Sequence, residues 1–397
     1  MMTGADESLL TLVKELTDRG SLTAAWRPSF LAIPRRMFIP DTIWWEASNG
    51  DLVSVSRSDD PDRWRDLVAR NDSVITQVDD GHPTRPDSAG WLPTSSASMP
   101  TMVAAMLAHL DAKPGHRVLE IGTGTGWNAA LLAHRLGAEQ VTSIEIDPDL
   151  AAHARTALAG AGFGAVTVIT ADGALGHPPD APYDRVISTA SCQTVPYAWV
   201  AQTRPGGRIL TPWGNPYFDG GLLALTTDHQ GTASGGIIGK ASFMYLRDQR
   251  IPRAPLRDIL GTAQERAALP ITWTDIHPYQ VAGRFDTRFA IALRVSHCKF
   301  IYSPYDIDDE DGQHRGVVWF VDPWSRSWAS LTHLTPDASD DHFAVQQHGP
   351  RQLFDEIETA YRWWINTGSP SIGQWCVTIT PHGQRIDLHG PVLPKRG

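Results

Sequence analysis

The run Arg117-Val-Leu-Glu-Ile-Gly-Thr-Gly-Thr-Gly-Trp-Asn128 decides the reading of this chain. Arg117 to Ile121 is short and apolar, as a buried strand requires, and Asn128 to Leu136 is rich in Ala and Leu, as suits a helix. Between them Gly122, Gly124 and Gly126 let the backbone turn sharply and approach a ligand with no Cβ in the way. Their G-x-G-x-G spacing differs from the nicotinamide pattern, where the third glycine comes three residues after the second. Glu120 stands just upstream.

Working outward, strands and helices alternate from residue 98 to about 225. Pro100 to Leu110 reads as a helix, Gln140 to Ile146 as a strand, and Pro148 to Ala159 as a helix with Asp147 as its N-cap. Strands follow at Val166 to Thr170 and Arg185 to Thr189, then a helix at Tyr197 to Thr203 and a strand at Arg208 to Pro212. This alternation predicts an α/β, doubly wound, Rossmann-like parallel sheet. Glu145 ends the second strand, where a carboxylate can accept both ribose hydroxyls. Asp172-Gly173 follows the third, where a carboxylate can meet an adenine amino group. Three such markers at successive strand ends fit the crevice rule for open α/β sheets. A structural turn and a dinucleotide site are the other readings of the glycines.

On either side the pattern changes. Residues 7 to 20 suit an amphipathic helix carrying Leu9, Leu10, Leu12, Val13 and Leu16. A turn-rich and then polar segment runs to about residue 90, with turn chemistry at Ser58 to Asp62 and Asp79-Asp80-Gly81. The tail predicts strands at Phe289 to Val295, Gly316 to Val321, Ser327 to Leu331, Phe343 to Gln347 and Trp375 to Thr380, with a helix at Arg351 to Thr367. The expected organisation is an N-terminal helical and loop segment over 1–95, a cofactor-binding domain over 96–230 and a smaller α+β domain over 231–397.

The 397 residues carry a net charge of −10, which argues against a broad nucleic-acid face. No apolar run approaches the roughly 20 residues of a membrane span, and no signal-peptide pattern opens the chain. Three widely spaced cysteines suggest neither a disulfide framework nor a zinc site, and the 15 histidines form no metal-binding motif. A cytoplasmic protein without metal is expected. Cys192 reads as structural and His297-Cys298 as part of a strand. Asp308-Asp-Glu-Asp311 reads as a solvated loop. Trp44-Trp45 and Trp363-Trp364 read as core, with an aromatic cleft for a peptide as the sharper alternative.

Several segments together resemble the protein-L-isoaspartate O-methyltransferase family: Val118 to Gly126, Ser143-Ile-Glu-Ile146, Ala171-Asp-Gly173, Ala181-Pro-Tyr-Asp184, Ser188-Thr-Ala190 and Arg204-Pro-Gly-Gly-Arg208. Upstream, Ile33-Pro-Arg-Arg-Met-Phe-Ile-Pro40 resembles the family's N-terminal segment, and Ser96-Ala-Ser-Met-Pro-Thr-Met102 its substrate motif. The resemblance covers roughly residues 8 to 215. It implies S-adenosylmethionine as cofactor, with S-adenosylhomocysteine as product. It sets Glu120, Gly122, Thr123, Gly124, Thr125, Gly126, Glu145, Ile146, Asp172, Gly173 and Thr189 around the cofactor. Ser96, Ala97, Ser98, Met99, Thr101 and Ala190 would meet the substrate, with Ser98 touching its carboxylate. The alternative for Ser98 is an N-cap of the helix from Pro100.

Thr101 stands where the family often has His or Tyr. The segment between Pro40 and Ser98 is longer than in compact repair enzymes, which also lack a C-terminal domain of this size. This extended form resembles family members that act in maturation of ribosomally made peptides (lanthipeptides, lasso peptides, graspetides). It implies a cyclised peptide partner whose aspartate side chain is esterified, leading to a succinimide (aspartimide) or isoaspartate. General isoaspartyl repair is the alternative, and a non-catalytic cofactor-binding scaffold is the alternative of another class.

Overall fold

A computed structural model of the chain describes residues 4–47, 51–83, 90–252, 256–303, 316–332 and 342–388. It divides into two compact units, neither of them one run of sequence. The first takes Met1–Pro212, Leu222–Gly235 and Thr378–Arg385, and the second takes Trp213–Gly221, Gly236–Val377 and Ile386–Gly397.

The first unit opens with α1 (Gly4–Asp18), which buries Leu12, Val13 and Leu16, and α2 (Arg27–Ala32). The polar stretch that follows is not a helical and loop segment, as its composition suggests. It forms β1 (Thr42–Glu46), β2 (Leu52–Ser56), α3 (Pro61–Ala69), β3 (Val74–Val78) and β4 (Pro93–Ala97). The four strands pair antiparallel in the order β2-β1-β3-β4. Ile43, Val55, Trp64, Val68, Val74 and Ala97 close a small core of their own, with Trp45 packed against it. Asp60, expected in a turn, caps α3 by accepting from the Arg63 N–H at 3.0 Å. Asp79 and Asp80 do turn the chain, both with positive φ.

The parallel layer follows as α4 (Pro100–Leu110), β5 (Val118–Ile121), α5 (Trp127–Leu136), β6 (Val141–Glu145), α6 (Pro148–Gly160), β7 (Thr167–Thr170), β8 (Tyr183–Ser188), α7 (Tyr197–Ala201) and β9 (Thr203–Trp213). Asp147 caps α6 as expected, accepting from the N–H groups of Asp149 and Leu150 at 3.0 and 3.2 Å. β5 pairs in parallel with β6 and β8, β6 with β7, and β8 with β9. The order β7-β6-β5-β8-β9 therefore reverses direction between β5 and β8, and the strand ends there leave the crevice in which open α/β sheets hold ligands. Val118, Leu119 and Ile121 are buried, as a strand covered on both faces demands.

Next come β10 (Gly221–Thr227), β11 (Ala233–Lys240), α8 (Leu256–Leu260), α9 (Ala263–Ala267), β12 (Thr272–Thr274) and α10 (Phe285–Ala292). They are followed by β13 (Lys299–Ser303), β14 (Val317–Asp322), β15 (Ser327–Thr332), β16 (Phe343–His348), α11 (Leu353–Asn366), β17 (Trp375–Thr380) and β18 (Gly383–Leu388). The large sheet runs β18-β17-β11-β10-β9-β8-β5-β6-β7, and a second antiparallel sheet runs β12-β16-β15-β14-β13. The expected strand from Phe289 is instead α10, whose Phe289, Ala290, Ile291 and Ala292 are all buried. A run of consecutive apolar residues within a helix has the same short hydrophobic signature as a buried strand. His297 is not in a strand either: it turns the chain at φ +59° ahead of β13, with Cys298 buried beside it. The acidic run Asp308 to Asp311 lies outside the described residues. Trp364 is buried in the amphipathic α11, and the Arg294 guanidinium lies 3.8 Å from the Trp363 ring centre. Among the described residues no helix is long and apolar enough to cross a membrane.

Candidate active site

The glycine loop is held by the ends of β6 and β8. The Gly122 N–H donates to the Ile144 carbonyl at 2.8 Å, and the Gly124 N–H donates to Glu145 Oε2 at 2.8 Å. From the β8 side the Thr189 hydroxyl donates to the Gly122 carbonyl at 2.5 Å. Glycine is required at 122: its φ is +87°, and a Cβ there would stand 2.8 Å from Thr189 Oγ1. Gly126, at φ +88°, is the residue before α5, where an added Cβ would press at 3.4 Å on Ala154 and Leu158 of α6.

Three carboxylates, in β5, at the end of β6 and just after β7, do different things. Glu120 lies beneath the glycine loop, fully buried, accepting from Asn128 Nδ2 at 2.7 Å and from the Ser143 hydroxyl, which also meets Thr123 Oγ1 at 2.6 Å. Burial pushes its pKa up to about 7 against those two hydrogen bonds. Glu120 therefore props the loop from below. Glu145 accepts the Gly124 and Asp147 N–H groups, one on each oxygen, at 2.8 and 3.1 Å. A carboxylate can accept about four hydrogen bonds, so each oxygen retains a lone pair. Burial raises its pKa as well. Asp172 accepts from the Ala174 N–H at 2.9 Å through one oxygen, and its other oxygen has no partner among the described residues. Gly173 packs so tightly on Ile121 that a Cβ would come within 2.6 Å of it, while Trp199 donates to its carbonyl at 2.8 Å.

The expected substrate motif spans the end of β4 and the start of α4. Ser95 and Ser96 face the loop: a Cβ on Gly124 would stand 3.8 Å from Ser95 Oγ and 3.9 Å from the Ser96 carbonyl. Ala97 is buried in the core of the four-stranded sheet, so it anchors the strand. Ser98 is half-buried and does not cap α4. Met99 occupies that position without a side-chain bond, and the Ser98 hydroxyl makes no hydrogen bond among the described residues. The Thr101 hydroxyl and N–H are both engaged by Asn71, at 2.7 to 3.0 Å. Ile146, Met99 and Ala190 are half-buried around these segments.

Four residues here carry no sequence signal of their own. Arg35 is 4% exposed, and its guanidinium donates to the carbonyls of Val68, Arg70, Asp72 and Ser98. Burial pulls its pKa down to about 10. Asn71 bonds Thr101 on one side and Glu15 on the other. Gln77 donates to Asp147 at 3.2 Å and accepts from the Thr94 hydroxyl at 2.9 Å. Asn128 completes the seat of Glu120. Arg35 lies in a segment whose resemblance was visible, but nothing distinguished it from Arg36. Cys192 is buried, and burial pushes its thiol up to about 12, which removes it as a nucleophile. Among the described residues no three His, Cys, Asp or Glu side chains gather as a metal site would require.

The spare lone pairs on Glu145, the open oxygen of Asp172 and the loop required to be glycine fit an adenosyl cofactor. The class of protein, an S-adenosylmethionine-dependent methyltransferase, is given by its relatives. A family model described as Protein-L-isoaspartate(D-aspartate) O-methyltransferase matches residues 86–248. A protein-L-isoaspartate O-methyltransferase of Pyrococcus horikoshii is 44% identical over 149 residues, covering 38% of this chain and 67% of its own length. Another, from Methanocella arvoryzae, is 39% identical over 187 residues, covering 45% of this chain and 98% of its own. The chain belongs to the protein-L-isoaspartate O-methyltransferase family, and is an S-adenosylmethionine-dependent carboxyl methyltransferase by that membership. A solved structure named protein-L-isoaspartate O-methyltransferase shares the fold over 96% of this chain and 99% of its own, with a TM-score of 0.52 at 18% identity.

Proposed function

We propose that this chain methylates a carboxylate on an aspartate-derived residue of a peptide or protein, with the free α-carboxylate of isoaspartate as the leading substrate. The observation that carries this is the Ser98 hydroxyl, half-buried, without a hydrogen-bond partner among the described residues and directly after the strand that faces the glycine loop. A carboxylate of pKa near ~3.9 is already ionised at neutral pH, so no residue has to remove a proton. The site has to strip water from the carboxylate, donate a hydrogen bond to it and aim one oxygen. Ser98 supplies the donor. Glu145 and Asp172 would hold the ribose hydroxyls and the adenine amino group, and the loop would take the rest of the cofactor. S-adenosylmethionine, when bound, supplies a methyl group on a positively charged sulfur. The resulting ester is a better electrophile than the carboxylate, and the neighbouring backbone amide nitrogen can close on it to a succinimide with loss of methanol.

A second reading is that the accepted carboxylate is an ordinary aspartate side chain in a cyclised ribosomal peptide. Two observations favour it. Thr101 is tied to Asn71 instead of reaching into the site, and the long segment before Ser98 folds into a sheet that walls the loop. Ring constraint in such a peptide would favour the same succinimide closure.

The test offers purified enzyme and S-adenosylmethionine to a linear isoaspartyl peptide, its aspartyl counterpart and a macrocyclic aspartyl peptide. Mass spectrometry follows gain of one methyl and later loss of methanol. Turnover of the isoaspartyl peptide alone supports the first reading, and turnover of the macrocycle alone supports the second. Cofactor binding without methylation of any carboxylate would leave a binding scaffold and sink both.

A further inference from the structure

Arg35 presents an unusual combination: a cation almost wholly inside the protein, hydrogen-bonded only to neutral carbonyls, with the Asp72 carboxylate acting on it from nearby. It donates to Asp72 and Ser98 through Nη1, at 2.7 and 3.2 Å, and to Val68 and Arg70 through Nη2, at 2.7 and 2.8 Å, while its Nε has no partner. Two of those carbonyls end α3, where helix carbonyls lack intrahelical donors. A third precedes β3, and the fourth belongs to Ser98 itself. A neutral donor could cap a helix just as well. A buried positive charge is costly unless compensated, and Asp72 offsets only part of that cost, since burial outweighs it and the guanidinium pKa stays lowered, to about 10.

We propose that Arg35 is the positioning residue of the substrate carboxylate subsite: it fixes the turn that presents Ser98 and supplies the positive charge that the bound carboxylate completes. This rests on the carboxylate-methylation reading above. The charge lies against the Ser98 carbonyl, on the same residue as the hydroxyl, so it favours an anion bound there. In a partly buried site, where the effective dielectric is near ~20, a fixed charge several ångströms away favours an anionic ligand on the order of tenfold. Methyl transfer discharges the carboxylate, so the attraction is strongest before reaction. Its loss must appear in KM and peptide affinity more than in kcat.

The experiment compares an isoaspartyl peptide with the same peptide carrying a carboxamide in place of the free carboxylate. Affinities are measured by calorimetry in the presence of S-adenosylhomocysteine for wild type, R35M, R35Q, R35K and N71A. Every variant is first required to bind S-adenosylhomocysteine within threefold of wild type, which certifies its fold. Wild type should favour the carboxylate about tenfold or more, and R35M and R35Q should lose that preference. R35K should keep the preference while binding both peptides more weakly, because an ammonium has three N–H donors for four carbonyls. N71A, which loosens the same turn without touching charge, should weaken both peptides alike. If R35M and R35Q do not fold, R35K decides: loss of its preference overturns the proposal. Equal preference in wild type and a folded neutral variant overturns Arg35's role alone, whereas a wild type blind to the carboxylate overturns the substrate reading as well.

Discussion

The parallel sheet around β5 and the antiparallel sheet β2-β1-β3-β4 approach the glycine loop with different means. The first holds its half of the site largely through the backbone: strand ends, N–H groups and glycines in left-handed conformations, with carboxylates bonded to them. The second is fastened by side chains. Arg35 gathers four carbonyls, Asn71 grips Thr101, and Gln77 reaches Asp147. The cofactor half should therefore break on loss of glycine, and the substrate half on loss of single polar side chains that leave cofactor binding intact.

The harshest trial of the first claim is G122V. A β-branched residue at φ +87° costs about 1–3 kcal/mol, and the added Cβ would also meet Thr189 Oγ1 at 2.8 Å. S-adenosylmethionine affinity by calorimetry should fall about a hundredfold or more. An affinity within threefold of wild type would show that the loop is not what holds the cofactor.

Glu120 offers a second trial, read through pH. Its pKa is raised by burial from the usual 4.5 to about 7, so the folded chain binds this proton more tightly than the unfolded chain. Its contribution to stability is fully present below pH 4.5 and is lost as pH rises through 7, up to about 3 kcal/mol over that window. In E120Q the proton is gone, and the fall in unfolding free energy between pH 5 and pH 8 should shrink accordingly in urea titrations. An unchanged slope would place its origin elsewhere.

How far each half can be read from sequence follows from the same contrast. Gly122, Glu145 and Asp172 lie at fixed offsets from apolar strands, so local spacing locates them before any tertiary contact is known. The four-stranded sheet gives no such signal. Its pairings, such as Thr42 with Ser56 and Val74 with Ala97, join five-residue strands across Asp- and Arg-rich connections. Asp60 was ambiguous because residues that make turns also cap helices. α10 reads as a strand because Phe289 to Leu293 is an unbroken apolar run, which hides the helical period. Burial of Arg35 while Arg36 is only half-buried is a property of the assembled fold, with no trace in the adjacent pair.

S98A is the next smaller perturbation and addresses the second half directly. A hydrogen bond to a charged group contributes about 1.5–3 kcal/mol, so kcat/KM for the accepted peptide should fall about ten- to a hundredfold. S-adenosylmethionine affinity should stay within twofold, because no bond of the Ser98 side chain supports the loop. A parallel loss of cofactor affinity would make Ser98 part of the frame and dissolve the division drawn between the two sheets.

The smallest effect is expected where the two halves touch. Gln77, buried in β3, donates to the carboxylate that caps α6 and accepts from Thr94 of β4. Asp147 in turn donates its N–H to Glu145, the candidate ribose ligand. A ligand on Glu145 and a peptide beside β4 are thus joined by a short chain of hydrogen bonds. Coupling free energy is reciprocal, so S-adenosylhomocysteine should tighten peptide binding by the same factor as the peptide tightens S-adenosylhomocysteine. Removing two neutral-to-moderate hydrogen bonds in Q77A should reduce that factor about fivefold, roughly 1 kcal/mol, with little change in either affinity measured alone. If the factor survives intact, the two sheets act as independent walls. If it collapses, the substrate half is set by side chains that also sense the cofactor, and the contrast between the halves becomes the means by which the cofactor prepares the site for its peptide.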